Sequence, residues 1–497
     1  MSVSESRSTG SEGNEPRVGV WLIGARGSVA TTVVAGCAAV TAGLHTPTGM
    51  VTETPLFADS GLPPLSSLVF GGHDTDDCPL PKRAEALAAA DVLPHGLPAA
   101  VAAELTAADR EIRPGGPLPG DTRTPDELIA SFAADIQDFV RRENLTRAVV
   151  VNVASTEPAP AGAGPGEAVL PGAKPGRAVP AGAGSGRAAP AGIEPGRAVP
   201  AGAALPGDGS RGAALTGAGL PPSSLYAAAA LRAGCPYVNF TPSTGLHHPA
   251  LTPLTVSSGL PYAGRDGKTG QTLLRSVLGP MFAQRALAVR AWSGTNLLGG
   301  GDGAALADPA AAAAKNAGKE RVLTDSLGAT PEGRTHIDEV PSLGDWKTAW
   351  DHIAFDGFLG TRMVLQTTWQ GCDSALAAPL VLDLARLLAR AHEAGLTGPL
   401  TELGFYFKDP VGEGPAALGE QYAALAGFAE RLRRRAVGAG EPETGPSRAG
   451  SSETEPSETG RAETRPSAMW PAETRPSATG PAEVRPAETG PWGASPA

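Results

Sequence analysis

The stretch that decides the fold is VGVWLIGARGSVATT, residues 18–32. It opens with an apolar run over 18–23, which is typical of a strand buried in a parallel sheet. A turn containing Gly24 and Gly27 follows, and small residues over 28–42 then predict a helix. Glycines let the backbone approach a pyrophosphate, and a helix N-terminus offers free N–H groups with a partial positive charge. This order of strand, glycine turn and helix favours a dinucleotide-binding domain.

The glycine spacing is looser than GxGxxG, because Arg26 stands where a glycine is common. A tight strand-to-helix turn without any ligand is the ordinary alternative. An acidic partner for the ribose is expected about 20 residues further on. Glu53 lies 29 residues after Gly24 and is a candidate at this longer spacing.

Strands and helices alternate along the rest of the apolar sequence, which predicts an α/β fold built on a parallel sheet. Buried strands are expected at 148–153, 236–240, 260–264 and 287–292, and helices at 224–233 and 374–394.

Three segments contain few large apolar residues: 1–16, 158–219 and 437–497. The second carries GRAVP-like motifs every ten residues, and the third repeats ETRPS at the same interval. Such segments bury too little apolar surface to offset the entropy of ordering. We expect a disordered leader, a disordered insertion and a disordered C-terminal tail, with a scaffold role for the repeats as an alternative.

Composition excludes several classes of function. The net charge of −11 over 497 residues argues against a nucleic-acid partner, and no apolar run is long enough to span a membrane. The four cysteines form no CxxC pair, which argues against a zinc site and favours the cytoplasm. His247 and His248 have no third ligand at metal spacing, so a solvated loop and no metal are expected there.

Lysine is scarce, which makes each lysine informative. Lysine and arginine total 40, yet only seven are lysines: Lys82, Lys174, Lys268, Lys315, Lys319, Lys347 and Lys408. Lysine can lose its proton when its pKa is depressed, whereas arginine effectively cannot. We therefore expect the retained lysines to include those that chemistry needs, with biased codon usage as the alternative.

Four segments place lysines or amides where a ligand could bind. Residues 263–272, AGRDGKTGQT, open a helix after a strand and suit a phosphate, although they could be a plain capped helix start. Residues 293–303 form a glycine-rich loop that could wrap a ligand or could be merely a loop. Lys315 and Lys319 share one helical face, which is usually a solvated face. Lys408 directly follows three aromatic residues, Phe405, Tyr406 and Phe407. Loss of hydration beside them could lower its pKa.

Taken in order, these motifs resemble the myo-inositol-1-phosphate synthase (inositol-3-phosphate synthase) family, as a divergent bacterial-type member. The resemblance covers most of residues 17–430 and rests on the glycine turn, the Lys-Thr-Gly-Gln-Thr segment, the Gly-Asp-Gly loop and the spacing of the lysines. Similar segments stand at 24–30, 71–75, 153–157, 236–242, 264–272, 296–303 and 372–376. Ser28, Val29, Gly300 and Gly301 depart from the family's asparagines, and these departures touch the cofactor site.

The resemblance implies an α/β architecture with an NAD-binding Rossmann-like parallel sheet over 17–272 and 374–436. An inserted α+β domain over 273–373 would carry catalysis and tetramerisation. A homotetramer that binds a small-molecule sugar phosphate, with NAD as the cofactor, is implied.

The implied reaction converts D-glucose 6-phosphate to 1D-myo-inositol 3-phosphate by internal oxidation, enolisation, aldol closure and reduction. Lys315 would serve the hydride and alkoxide step, Lys319 and Lys408 the phosphate or aldehyde oxygen, and Lys347 the oxidised carbon. Aspartates would orient them, which makes the implied catalytic set Lys315, Lys319, Lys347, Lys408, Asp266, Asp302 and Asp373. The implied cofactor set is Gly24, Arg26, Gly27, Ser28, Val29, Asp74, Ala154, Ser155, Thr156, Thr269, Gly301, Asp345 and Ser374. Substrate and phosphate would contact Lys268, Gln271 and Asn296.

Two other hypotheses for the function of the chain stay open. The chain could be an NAD-dependent enzyme that acts on a different sugar phosphate. It could also be a non-catalytic NAD-binding regulator, which predicts loss of the lysine set that is present here.

Overall fold

The computed structural model describes residues 16–157, 219–299 and 322–437. The three segments predicted to be disordered fall outside these ranges except for residues at their edges. Four of the predicted site residues also lie outside the described ranges: Gly301, Asp302, Lys315 and Lys319.

Seven strands form one parallel sheet. They are β1 (Val18–Ile23), β2 (Leu68–Asp74), β3 (Ile112–Pro114), β4 (Arg147–Asn152), β5 (Tyr237–Asn239), β6 (Pro261–Gly264) and β11 (Gly398–Pro399). Their order is β11-β6-β5-β4-β1-β2-β3, and each neighbouring pair is parallel. This order reverses between β1 and β4, the point at which Rossmann-type sheets open a crevice for a ligand.

Helices cover both faces of this sheet, apart from one that packs on the second sheet. They are α1 (Ser28–Thr41), α2 (Leu80–Ala89), α3 (Leu97–Ala100), α4 (Ala102–Arg110), α5 (Pro125–Arg142), α6 (Pro222–Arg232) and α7 (Thr252–Ser258), followed by α8 (Gln271–Gln284), α9 (Asp373–Glu393) and α10 (Leu418–Val437). Alternate residues of β1 belong to two hydrophobic cores, one on each face of the sheet. Val20 and Leu22 pack towards α1 and α9. Trp21 and Ile23 pack towards α5 and α6. Burial on both sides explains why β1 is apolar throughout and confirms the predicted α/β fold.

α5 shows how the sequence fixes a helix in this layer. Thr124 caps its N-terminus and Glu127 bonds back to the Thr124 backbone, which is a capping box. Apolar side chains at 128, 129, 132, 136 and 139 then fall on one face and are buried.

A second, four-stranded sheet lies between α8 and α9 in the chain. It contains β7 (Ala288–Leu298), β8 (Thr335–Glu339), β9 (Trp346–Asp356) and β10 (Arg362–Cys372), in the order β10-β9-β7-β8. Phe282 of α8 packs on Trp292 and Ile353 of the sheet. α9 follows β10 directly and returns the chain to the first sheet.

β7 corrects one expectation from the sequence. The strand predicted at 287–292 continues to Leu298, so Asn296 lies in a strand and not in a loop. Alternate residues Trp292, Asn296 and Leu298 are buried, and this two-residue periodicity keeps the strand regular through its polar positions. Among the helices within the described ranges, none has the length and apolarity needed to cross a bilayer.

Candidate active site

The crevice between β1 and β4 is shaped by Gly24. Its φ of +82° is a left-handed conformation that favours glycine, and its N–H donates to the His73 carbonyl at 2.9 Å. A Cβ at Gly24 would lie 2.6 Å from Cα of Ala154, which follows β4. The glycine therefore lets the ends of the two central strands approach each other closely.

The N-terminus of α1 opens beside this turn. Gly27 is the N-cap residue, no side chain of the described residues caps the helix, and its first turn contains no acidic residue. The leading N–H groups of α1 are therefore open to an anion, which the helix dipole also favours. The Ser28 hydroxyl donates to Asp345 Oδ1 at 3.0 Å, so this helix end contacts the segment that leads into β9.

Asp74 ends β2 on the other side of the glycine turn. Its carboxylate accepts the Arg26 N–H at 2.6 Å and the Asp76 N–H at 2.8 Å, while the Arg26 guanidinium pairs with Asp109 at 3.1 Å. An acidic residue at this strand end is where Rossmann folds hold a ribose.

Glu53 was the wrong candidate for that role. Its carboxylate pairs with Arg386 of α9, whereas Asp74 is the acidic residue that ends β2. Three short 3-10 turns, at Val51–Glu53, Pro55–Phe57 and Leu65–Ser67, lengthen the connection before β2. The usual spacing rule fails because this connection is unusually long.

The N-terminus of α8 lies beside Lys347 and beside the hydroxyl groups of Thr269 and Thr272. Gly270 is its N-cap residue, with no capping side chain from the residues that the structure describes and no acid in the first turn. Lys347 Nζ pairs with Asp373, which also accepts the Thr269 hydroxyl at 2.9 Å. A Cβ at Gly270 would lie 3.4 Å from Lys347 Nζ. The Thr272 hydroxyl is buried and has no hydrogen-bond partner among the described residues.

The segment Asp345–Lys347 joins the two helix ends. Asp345 bonds to Ser28 at the start of α1, and Lys347, two residues later, bonds to Asp373 beside the start of α8. Two anion-favouring helix ends are thereby held on one short stretch of chain. The structure thus brings together residues that lie more than 300 positions apart in the sequence.

Lys408 and Asp266 form a second lysine–aspartate pair, at 2.7 Å. Their side chains are only 9% and 8% exposed, so the charges neutralise each other away from bulk water. Asp266 has a φ of +61°, and its backbone carbonyl accepts the Lys408 N–H at 2.7 Å. Its side chain and its backbone therefore both hold Lys408.

Lys268 lies two residues after Asp266 in the chain, but its amine points away from the Lys408–Asp266 pair and towards α10. It is 4% exposed, and its Nζ donates to the side-chain oxygen of Gln421 in α10. Burial lowers the pKa of Lys268 to about 7, because the charged form loses hydration. In this structure the amine faces α10.

Gln271 and Asn296 are also committed to protein partners. Asn296 donates to Gln271 Oε1 at 2.9 Å, and Gln271 donates to Asp351 Oδ2 at 2.8 Å. Arg275 pairs with Asp351 at 2.8 Å, and both are buried. Sequence reasoning missed Arg275 and Asp351. The signal for Arg275 was its position one helical turn after Gln271, on the same face.

Four further predicted cofactor residues lie in the segment after β4 and in the first turns of α1 and α9. After β4, Ser155 is exposed and Thr156 is half-buried. Val29 is half-buried in the first turn of α1, and Ser374 is buried in the first turn of α9.

His247 corrects another expectation. It ends a 3-10 turn and is half-buried instead of solvated, and its Nδ1 is buried. Burial lowers its pKa to about 4. The solvated-loop prediction failed because the turn folds the ring back against the chain.

Comparisons with known proteins bear on this geometry. A family profile described as myo-inositol-1-phosphate synthase matches residues 18–114, which include the glycine turn, and a second profile of the same description matches residues 270–374. Inositol-3-phosphate synthase 1 of Bacteroides thetaiotaomicron is 28% identical over 431 residues, covering 80% of this chain and 90% of the relative.

The chain belongs to the myo-inositol-1-phosphate synthase family. Inositol-3-phosphate synthase of Trypanosoma brucei brucei is 35% identical over a shorter stretch of 188 residues, which is 35% of each chain. In this family member, the two matched ranges contain the starts of α1 and α8, the two helix ends of the candidate site.

Solved structures share the fold. Inositol-3-phosphate synthase of Caenorhabditis elegans superposes with a TM-score of 0.64 at 21% identity, covering 84% of this chain and 86% of that one. A myo-inositol-1-phosphate synthase-related protein of Thermotoga maritima gives 0.59 at 22% identity, covering 83% and 98%.

Proposed function

We propose that the chain converts D-glucose 6-phosphate to 1D-myo-inositol 3-phosphate with NAD as a bound cofactor. The observation that supports this most is the segment Asp345–Lys347, which joins the N-termini of α1 and α8. Each helix end suits one anion, and the two anions would be a dinucleotide pyrophosphate and a sugar phosphate.

The start of α1 fits NAD. No described side chain caps its N–H groups, Gly24 brings the strand ends close, and Asp74 ends β2, where a ribose hydroxyl would be held. Ser28, Asp345 and the residues after β4 would complete the contacts. The departures Ser28 and Val29 leave the backbone N–H groups in place, and these groups are what a pyrophosphate needs.

The start of α8 fits the phosphate of the sugar. Lys347 would supply a positive charge beside Gly270, and the Thr272 hydroxyl, which has no hydrogen-bond partner within the described part of the chain, would supply a hydrogen bond. Hydrogen bonds between charged groups are roughly twice as strong as neutral ones. On the strength of this proximity we assign Lys347 to the phosphate, whereas the resemblance implied a role at the oxidised carbon.

NAD, when bound, would take a hydride from carbon 5 of the sugar and later return it, so that the overall reaction is an isomerisation. The chain supplies positive charge where oxygen anions develop. Lys408, held by Asp266, would face the aldehyde oxygen of the substrate. Lys315 and Lys319 would serve the alkoxide and the aldehyde oxygen, with Asp302 orienting them.

The domain arrangement is part of the proposal. Residues 17–272 with 374–436 would form the cofactor domain, and 273–373 would form the catalytic domain and the contacts of a homotetramer. The cysteines of the described ranges are free thiols, as expected for a protein that works in the cytoplasm.

The test is product formation followed by ³¹P NMR with glucose 6-phosphate and NAD. We expect an inositol phosphate signal from the wild type and from Lys82→Met, since Lys82 is exposed on α2. Lys347→Met is expected to be strongly impaired at the same substrate concentration. NAD binding without any inositol phosphate would favour another sugar phosphate as the substrate, and absence of NAD binding would refute the enzymatic proposal.

A further inference from the structure

A buried polar network stands directly behind the start of α8. Asp351 of β9 accepts three hydrogen bonds at 2.8 Å, from Gln271, Arg275 and Trp292. Gln271 extends this network, because its amide oxygen accepts a hydrogen bond from Asn296 at 2.9 Å. All five residues are at most 4% exposed.

The chemistry of Asp351 dictates which way Gln271 faces. An ionised carboxylate only accepts hydrogen bonds, so the amide nitrogen of Gln271 must point to it. The amide oxygen of Gln271 is then left to accept from Asn296. Arg275 provides the positive charge that offsets the free-energy cost of removing the Asp351 carboxylate from water. One ion pair thus fixes the orientation of the first side chain of α8.

Gly294 of β7 shows how closely the network is packed. A Cβ at this position would lie 2.8 Å from Gln271 Nε2, 2.9 Å from Asp351 Oδ1 and 3.0 Å from Arg275 Nη2. An added methyl group would therefore push on the network without changing any charge. This offers a perturbation that is independent of Asp351.

We propose that Asp351 is a positioning residue for the sugar phosphate, an inference that rests on the proposed function. It does not touch the ligand. It anchors Gln271, and through Gln271 it fixes the N–H groups at the start of α8 where the phosphate would bind. The hydrogen bonds that join Asp351, Gln271 and Asn296 run within β7, β9 and the start of α8, whereas the start of α1 is bonded to Asp345.

The test compares two dissociation constants, for glucose 6-phosphate and for NAD, by isothermal titration of the full chain. In Asp351→Asn the Kd for glucose 6-phosphate should rise by about tenfold or more, because the new amide nitrogen faces hydrogen-bond donors. The Kd for NAD should stay within about twofold, since no charge changes near α1. The matched control is Asp356→Asn on the same strand, whose carboxylate pairs with the exposed Arg290, and it should change neither constant.

A purely structural role would give a different pattern. Loss of folded protein lowers the number of binding sites per chain and leaves both Kd values unchanged. If Asp351→Asn does not fold, Gly294→Ala decides, and we expect the same selective weakening of glucose 6-phosphate binding. Unchanged glucose 6-phosphate affinity in a folded variant would overturn the positioning role alone. A wild type that binds NAD but no glucose 6-phosphate would overturn the proposed substrate as well.

Discussion

Replacing Gly24 with alanine should damage the crevice more than a comparable change elsewhere. Gly24 has a φ of +82°, which costs an alanine roughly 1–2 kcal/mol. The new Cβ would also lie 2.6 Å from Cα of Ala154, and relieving such overpacking typically costs about 1–3 kcal/mol. The free energy of unfolding should therefore fall by about 2–5 kcal/mol.

Gly43→Ala is the matched control, because it isolates the backbone cost. Gly43 follows α1 with a φ of +69°, and a Cβ there would meet nothing within 4 Å. Gly43→Ala should lower the free energy of unfolding by only the roughly 1–2 kcal/mol cost of a left-handed alanine, and it should bind NAD with the wild-type affinity. Urea denaturation measures the stabilities, and titration with NAD measures the affinity, which should fall at least about tenfold in Gly24→Ala alone. Equal stability losses in the two variants, or normal NAD affinity in Gly24→Ala, would refute this reasoning.

Three further predictions concern the lysines. Lys347→Met should raise the KM for glucose 6-phosphate about 10- to 100-fold, the worth of a charged hydrogen bond to phosphate, with the Kd for NAD unchanged; an unchanged KM would contradict the assignment. Asp266→Asn keeps the left-handed backbone accessible but leaves Lys408 without its counter-charge, so urea denaturation should show a loss of about 3–5 kcal/mol; unchanged stability would argue against a buried ion pair. Lys268 has a folded pKa of about 7, below the ordinary value of 10.5, so wild-type stability should rise between pH 7 and 9 relative to Lys268→Met, by up to about 1.4 kcal/mol per pH unit. A pH-independent difference in unfolding free energy would contradict that buried neutral amine.

The central part of the fold could be predicted from local sequence. The run over 18–30 has apolar residues, glycines and small residues in the order that a strand, a turn and a helix require, and the structure has those elements. The family resemblance implied that aspartates would orient the lysines, but the pairs Lys347–Asp373 and Lys408–Asp266 came only from the structure, because each joins distant parts of the chain.

Other parts of the site depended on tertiary contacts that no local pattern encodes. The burial of Asn296 requires β7 to continue through polar residues, which the pairing with β9 stabilises. The direction of Lys268 is set by Gln421, 153 residues away. Asp351 has no distinguishing neighbours in the sequence, and its importance appears only when Gln271 and Arg275 converge on it.

The central claim is that two helix ends, linked by Asp345–Lys347, hold a dinucleotide and a sugar phosphate side by side. The most direct test is a crystal structure of the chain with NAD and glucitol 6-phosphate, which lacks the aldehyde needed for ring closure. We predict the pyrophosphate at residues 24–28 and the sugar phosphate at residues 270–272, within hydrogen-bond reach of Lys347 Nζ. A sugar phosphate bound away from the start of α8, or a dinucleotide bound outside the β1–β4 crevice, would contradict the account.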